Sequence, residues 1–320
     1  MKAKTIIWQS VLFACIGIAL LYFSFQKIDF SSLVAVLKNG NYTAVLPVFL
    51  VSLMVYVSRV KRWQILYEAA GEKAPANFLF ASLATGYLVN FAVPRLGELS
   101  RALILKKWLN YPVHLSLSTI VFERMADVIC LLFILVAAFA LELFNQGNLL
   151  NEFTQGVTIF SVNKLLLLLA GIGVMVVFYL WIQKRKDQIS IWIKEFIAVF
   201  IKLVQMKNRT WFLIHTLIIW LGFFLMTYLW FFLFEESRTL SIYQAYLVMV
   251  LGVIARTLPI QAGSAGAYHF IVSKALVLLG VGNLVANALA IVIHGFQTVF
   301  TLLFGAIAYL WLITQKRIDS

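Results

Sequence analysis

The chain has 320 residues, 62% of them hydrophobic and only 12% charged, against roughly 45–50% apolar residues in a soluble domain; a water-soluble fold of this size cannot hide so much apolar surface. Its formal net charge is +13, but the Lys and Arg residues sit at the ends of apolar runs, which points to orientation in a bilayer and contact with lipid headgroups and away from nucleic acid. Cys15 and Cys130 each lie inside an apolar run, which excludes a disulfide framework or a thiolate metal site and reads as packing.

Met1, Lys2 and Lys4 precede an apolar run from Ile6 to Phe25. That run is too long for a signal-peptide core and lacks a small-x-small cleavage pattern, so it predicts an uncleaved first span over 5–25. Further spans are predicted over 43–60, 117–141, 164–182, 211–234 and 285–312, each close to the ~20 apolar residues that a crossing needs. Two other apolar stretches, 77–106 and 243–281, are interrupted by Pro, Gly and charge: Asn90-Phe-Ala-Val-Pro94-Arg-Leu-Gly97-Glu98 in the first, Arg256-Thr-Leu-Pro259-Ile-Gln-Ala-Gly263-Ser-Ala-Gly266 in the second. Between the spans, 187–209 is amphipathic, with Ile189, Trp192, Ile193, Phe196, Ile197, Phe200 and Val204 at helical spacing against Lys194, Lys202 and Lys207. It reads either as a helix in the headgroup plane or as a surface helix packed on the bundle. Trp8, Trp63, Trp108, Trp181, Trp211 and Trp311 mostly fall near span ends, as an interfacial belt does.

Charge sets the expected topology. Segments assigned to the cytoplasm carry 19 Lys and Arg, whereas the outer segments 26–42, 142–162 and 235–242 carry three; this is the positive-inside asymmetry. It holds only if 77–106 enters and returns on the cytoplasmic side and 243–281 on the outer side. The expected fold is therefore all-α: one polytopic membrane domain over 1–320, about six full spans plus two oppositely oriented re-entrant hairpins, both termini cytoplasmic, in the cytoplasmic (inner) membrane. Discontinuous inverted elements of this kind frame the binding sites of secondary transporters; ordinary kinked spans are the alternative.

Ionisable side chains inside apolar segments are the candidate functional residues, because each costs about 2.5–3.5 kcal/mol at the centre of a span. In the first hairpin, Glu98 and Arg101 are three apart and can pair, with Arg95 and Gly97 beside them at the start of a half-helix suited to an anion. Glu123, Arg124 and Asp127 open the third span; Arg95 or Arg101 across the hairpin would partner them, as a structural network or as a substrate or proton site. In the outer hairpin, Arg256, Gln261, Gly263, Ser264, Gly266 and His269 could expose backbone amides and one cation to a phosphate. His294 in the last span would face this hairpin, as packing or as a proton relay. His114, His215, His269 and His294 lack ligand spacing, so no metal is expected, and no nucleotide, flavin or zinc motif calls for a cofactor.

The run Asn90-x3-Pro94-Arg95-Leu96-Gly97-Glu98-x2-Arg101, then Glu123-Arg124-x2-Asp127, then Pro259-x3-Gly263-x2-Gly266 resembles the flippase-like membrane domain of the lysylphosphatidylglycerol synthase family, over nearly the whole chain. The resemblance implies a helical bundle that moves lipids or lipid-linked headgroups between leaflets, with Glu98, Arg101, Glu123, Arg124 and Asp127 as the shared functional positions. In bifunctional relatives a soluble aminoacyltransferase domain follows the membrane part; here the chain stops at Ser320, so lysyl transfer is not expected. Relatives carry a Glu soon after the last Gly of the outer hairpin, where this chain has Tyr268-His269.

The expected function is lipid translocation, with an anionic phospholipid or a polyprenyl-phosphate-linked lipid as partner, no nucleic acid, and room for a homo-oligomer. Arg59, Lys61, Arg62, Lys106 and Lys107 would gather anionic lipid on the cytoplasmic side. The alternatives are an intramembrane enzyme acting on polyprenyl-phosphate or phospholipid headgroups, for which Ser264, Arg256 and His269 would be the candidates, and a proton-coupled small-solute transporter using Glu123, Asp127 and His294.

Overall fold

A computed structural model of the chain describes residues 28–93, 95–144, 198–257 and 261–315, with Ile18, Leu21, Tyr22, Ser24 and Lys194. The expected span over 164–182, most of the span over 5–25, the first part of the amphipathic segment, and Pro94 and Pro259 lie outside the described residues. In chain order the helices are α1 (Phe30–Lys38), α2 (Val45–Ala70), α3 (Ala76–Ala92), α4 (Leu96–Leu109), α5 (Val113–Phe144), α6 (Arg209–Trp230), α7 (Ile242–Thr257), α8 (Gln261–Leu278) and α9 (Asn283–Thr314). Among the described residues, four helical stretches are long and apolar enough to cross a membrane: Tyr42–Ala70, Val113–Leu141, Arg209–Leu233 and Asn283–Thr314. They contain the expected spans over 43–60, 117–141, 211–234 and 285–312 almost entirely.

Local chemistry sets several of the helix ends. Asp29 caps α1: its carboxylate accepts from the Ser32 amide at 2.8 Å and from the Ser31 and Ser32 hydroxyls. Those donors, Ser31 foremost, hold the carboxyl well below the usual carboxylate range. At the other end of the bundle α2 stops on Gly71, whose φ of 97° puts it in the left-handed conformation.

Three of the long helices pack antiparallel in sequence order. Along the α2–α6 seam, Arg62 donates to Thr216 at 3.3 Å, Val55 lies against Gly222, and the Ser52 hydroxyl donates to Met226 Sδ at 3.1 Å. Between α2 and α5, Tyr67 bonds Ser116 at 2.7 Å and Trp63 donates from Nε1 to Thr119 at 3.0 Å. The outer face of α5 stays bare, with Phe133 73% and Val136 67% exposed, as a lipid-facing surface would be. Trp63 is fully buried, so it belongs to the core and not to an interfacial belt. The described part of the amphipathic segment packs on the bundle: Leu203 is fully buried, and Phe200 meets Phe122 at 5.3 Å between ring centroids.

The two interrupted stretches form helical hairpins. α3, α4, α7 and α8 have 17, 14, 16 and 18 residues, or about 21–27 Å each at 1.5 Å per residue, less than the ~30 Å hydrocarbon core. α3 and α4 fold back on each other: the Ser82 hydroxyl donates to the Arg101 carbonyl at 2.9 Å, and Gly86 faces Gly97. α7 and α8 do the same, with Gly252 against the Tyr268 ring. α3 and α4 open at the end where α2 stops and α5 starts; α7 and α8 open at the opposite end, where α6 stops and α9 starts. The two hairpins touch at their tips, where the exposed Arg95 donates from Nη2 to the Thr257 carbonyl at 3.0 Å.

α9 is the common spine of both hairpins. Its first half carries His294, 5.1 Å from His269 of α8 between ring centroids, and its second half packs on α3 through Phe78–Trp311 at 5.2 Å. Between these, Phe296, Phe300 and Phe304 recur every fourth residue and stack on one another at 4.6 and 5.3 Å, while Phe304 also meets Tyr56 of α2 at 5.4 Å.

The first hairpin closes so tightly that a Cβ on Gly97 would lie 2.2 Å from the Gly86 carbonyl oxygen and 2.4 Å from Asn90 Cγ. Gly97→Ala is therefore expected to destabilise by at least the ~1–3 kcal/mol of an overpacked core. Gly295, whose Cβ would meet nothing within 4 Å, serves as the comparison: Gly295→Ala should be neutral or slightly stabilising, since Ala is the better helix former. Thermal unfolding of the purified variants in detergent micelles decides it, and equal melting temperatures for the two would contradict the packing described.

Candidate functional site

Apolar helices bring six ionisable side chains to one place. Glu123 and Asp127 are one turn apart on α5 and share a face, with Arg124 beside them. That face meets α2, whose Arg59 and Arg62 are three apart, and α4, which contributes Arg101. The Glu123 carboxylate, 1% exposed, is reached by Arg124 at 2.5 Å, Arg101 at 3.1 Å, Arg62 at 3.3 Å and Arg59 at 3.5 Å. Asp127 takes Arg62 at 2.7 Å and Arg124 at 3.1 Å, with Arg59 at 4.0 Å. Glu123 lies about ten residues into α5, or about 15 Å along its axis.

Aromatic faces hold the guanidiniums in position. Arg101 lies 4.0 Å from the Trp63 ring centroid, Arg62 5.7 Å from Phe212, and Arg59 5.5 Å from Phe223; such stacking suits a planar, weakly hydrated cation. Four cations face two carboxylates, so the cluster carries two positive charges more than its own carboxylates cancel. Several donors stay unused: Nε of Arg62, Arg101 and Arg124 have no hydrogen-bond partner among the described residues. Side-chain exposure rises from Arg62 (0%) and Arg101 (3%) through Arg59 (12%) to Arg124 (38%), so the cluster is closed at α2 and opens at Arg124.

The tip of the first hairpin is organised by Asn90. Its Oδ1 accepts from the Gly97 amide at 2.6 Å, satisfying a free donor of the α4 N-terminus, and its Nδ2 donates to Glu98 at 3.4 Å. Glu98 is half-buried and held by Asn90; Arg101, which the spacing would pair with Glu98, turns to Glu123. Arg95 does not join Glu123 or Asp127 either. It sits exposed in the left-handed region, φ 71°, and reaches the second hairpin at Thr257.

In the second hairpin, Arg256 stacks over Tyr268 at 4.4 Å and donates to its hydroxyl. Tyr268 and His269 adjoin His294, at 5.2 and 5.1 Å between ring centroids, and His294 Nδ1 lies 3.5 Å from the Thr298 hydroxyl. Gln261 and Gly263 are in the first turn of α8, Gly266 is buried, and Ser264 is buried with φ 62°. The sequence-derived residues thus divide in two: Arg101, Glu123, Arg124 and Asp127 in one cluster, Arg256, Tyr268, His269 and His294 in the other, with Arg95 touching the backbone between them.

Sequence reasoning missed Arg59, Arg62, Trp63 and Asn90. Arg59 and Arg62 read as members of a lipid-gathering basic surface together with Lys61, Lys106 and Lys107. Those three lysines are exposed, but Arg62 is fully buried, so for the arginines that expectation fails. Their spacing was the available signal: residues 59 and 62 share a face that Lys61 does not.

These features define a polytopic helical membrane protein in which two hairpins enter from opposite ends and meet beside an internal arginine–carboxylate cluster. The chain belongs to the family described as the lysylphosphatidylglycerol synthase TM region, whose model matches residues 6–305. It is also similar to a UPF0104 membrane protein of Methanocaldococcus jannaschii, 29% identical over 136 residues, which is 42% of this chain and 40% of the relative's length. No solved structure matches the chain.

Removing one partner of a buried ion pair strands the other charge, at about 3–5 kcal/mol. Glu123→Ala leaves Arg101 without a carboxylate and Arg59, Arg62 and Arg124 sharing Asp127, and should cost at least that, lowering the melting temperature and the yield of folded protein. Arg124→Ala leaves Glu123 three cations and Asp127 two, and removes the most exposed side chain of the cluster, so a smaller loss is expected. Thermal unfolding of both variants checks the order, and a smaller loss for Glu123→Ala would contradict it.

Proposed function

We propose that this protein moves an anionic, phosphate-bearing lipid headgroup between the leaflets, and that the Glu123 cluster holds the headgroup on its way. One observation carries the reading: inside an apolar bundle, four guanidiniums face two carboxylates with N–H groups left unused. Arginine offers a planar fork that matches phosphate oxygens bidentately, and a dianionic headgroup would cancel the excess charge. Arginine also keeps its proton throughout the physiological range, which favours holding an anion over shuttling a proton. A phospholipid or a polyprenyl-phosphate-linked lipid has this chemistry, and the lipid named in the family's description supports a lipid as cargo.

Opposed hairpins supply the access. Each would line a wet path from its own end, since broken backbone at membrane depth is tolerated where it faces protein or water. On this reading the end bearing 71–75 and 110–112 is cytoplasmic, as are both termini, and the membrane is the cytoplasmic one. Exposed Lys61, Lys106 and Lys107 would concentrate anionic lipid there, at about 1 kcal/mol per charge near the surface.

Proteoliposomes holding fluorescent phosphatidic acid test the proposal, with leaflet exchange read by quenching of the outer label. The wild type should exchange label faster than empty vesicles. Arg59→Gln removes one excess cation, leaves Glu123 three others, and should slow exchange about tenfold or more, the worth of one charge-assisted hydrogen bond. Exchange by the wild type no faster than in empty vesicles would sink the reading.

A further inference from the structure

We infer that a polar stripe at the middle of α9, made by Gln297, Thr298 and Thr301, is a water-filled extension of the Glu123 site. It receives the phosphate-bearing headgroup once that group leaves the arginines. As a step on a path this rests on the translocation reading; as a wet binding surface it stands on its own geometry. His294, Gln297, Thr298 and Thr301 follow the i, i+3, i+4, i+7 pattern of one helix face. The same face continues through Ala290 on one side and through Gly305, Ala308 and Leu312 on the other, and these residues and His294 are all buried. It is therefore the inward face. The opposite face is apolar and bare, with Val299, Leu303 and Ile307 each more than half exposed.

Burial lapses from Gly295 to Phe304, where no residue is buried. Tyr268 and His269 of α8 cover the inward face at His294, and Ala84 and Leu88 of α3 cover it at Gly305. Thr298 and Thr301 lie between the two covers. α3 shows a matching lapse: it is buried from Ala81 to Gly86 and only half-buried from Tyr87 to Phe91. Tyr56 of α2 joins the two lapses, since its ring meets Tyr87 at 5.8 Å and its hydroxyl faces Thr301. Arg59, one turn along α2 from Tyr56, lies over the Tyr87 ring at 5.9 Å. The hollow thus adjoins the Glu123 cluster.

Polar side chains at mid-span commonly serve as glue between helices. Here the Thr301 hydroxyl donates to the Gln297 carbonyl at 2.9 Å and the Thr298 hydroxyl lies 3.5 Å from His294 Nδ1, both within α9. Among the described residues, only Thr301 reaches another helix, at Tyr56. A half-buried amide and two hydroxyls on an inward face call instead for water or a polar ligand. The stripe is also uncharged, and neutral donors hold phosphate oxygens weakly enough to release them. α2 and α9 run in the same direction, since Phe49 meets Phe300 and Tyr56 meets Phe304. From the Tyr56–Thr301 level, Arg59 lies one turn toward the end where α2 stops, and Gln297 one turn the other way. The stripe leads from the cluster toward the end where α7 and α8 open.

The test labels single cysteines in the full chain, carrying Cys15→Ser and Cys130→Ser, in detergent micelles. A small charged thiosulfonate reacts with the thiolate, which forms in water and is disfavoured in apolar surroundings. Thr298→Cys should be labelled, whereas Leu303→Cys, on the bare apolar face, should not, although Leu303 is the more exposed residue. Gln297→Cys carries the test if Thr298→Cys does not fold. Dioctanoyl phosphatidic acid at about ten times its Kd should slow the labelling about tenfold, in line with the fraction of sites it leaves empty. Equal protection by inorganic phosphate assigns the stripe to the phosphate group alone, protection by the lipid only assigns it to the lipid headgroup, and either supports the inference. Labelling of Thr298→Cys no faster than of Leu303→Cys, or labelling indifferent to the lipid, overturns it. The two proposals fail separately: exchange-inactive vesicles with a labelled, lipid-protected Thr298→Cys remove translocation and keep the wet site, and exchanging vesicles with an unlabelled Thr298→Cys do the reverse.

Discussion

The Glu123 carboxylate is the constraint around which the first half of the bundle is arranged. It takes cations from α2, α4 and α5 within 3.5 Å, and so fixes the first hairpin and the third span relative to α2. A carboxylate at this burial is tolerable only because several guanidiniums surround it; each guanidinium in turn is tolerable because of Glu123, Asp127 and an aromatic face. Removing any one of these conditions changes the cost of the rest, which is why the residues act as a unit.

The hairpins depend on a second constraint, close backbone approach. Gly86 and Gly97 let α3 and α4 touch, and that contact places Arg101 against Trp63 and Glu123. Asn90 supplies the hydrogen bonds that the broken helix would otherwise lack, to the Gly97 amide and to Glu98. The described residues of this motif therefore do two things: Asn90 satisfies the Gly97 amide, and one cation goes to each side, Arg101 to Glu123 and Arg95 to the other hairpin. α9 packs on both hairpins, and its Phe296, Phe300 and Phe304 rings run between the two contacts.

Much of this was legible in the sequence, because Pro, Gly and charge inside an apolar run have few structural uses. The two interrupted stretches, the long helices around them and the need of Glu123, Arg124 and Asp127 for charged partners all follow from that rule. The pairing did not. The expected span 43–60 ends at Val60, just before Lys61 and Arg62, which puts Arg62 among the headgroups. The helix instead runs on to Ala70, turning residues 59 and 62 inward and Lys61 outward. Local spacing likewise put Glu98 with Arg101, because i,i+3 neighbours are visible in a sequence and a carboxylate 22 residues away is not. The tip contact between Arg95 and Thr257, 162 residues apart, had no local signature at all.

Stability alone is a poor account of the Glu123 cluster. Buried ion pairs are commonly neutral or worse than apolar side chains of the same volume, because desolvation offsets the Coulomb attraction. A purely structural cluster would also be expected to balance its charges, and one carboxylate per guanidinium would have left fewer donors idle. Here the imbalance favours cations, the idle atoms are N–H donors, and the side chain with the greatest exposure is Arg124. A bundle that had only to hold together could have used leucines at these positions and avoided about 2.5–3.5 kcal/mol of insertion cost for each charge near mid-span. The excess makes physical sense if a third anion, supplied by a lipid headgroup, completes the set for part of the working cycle.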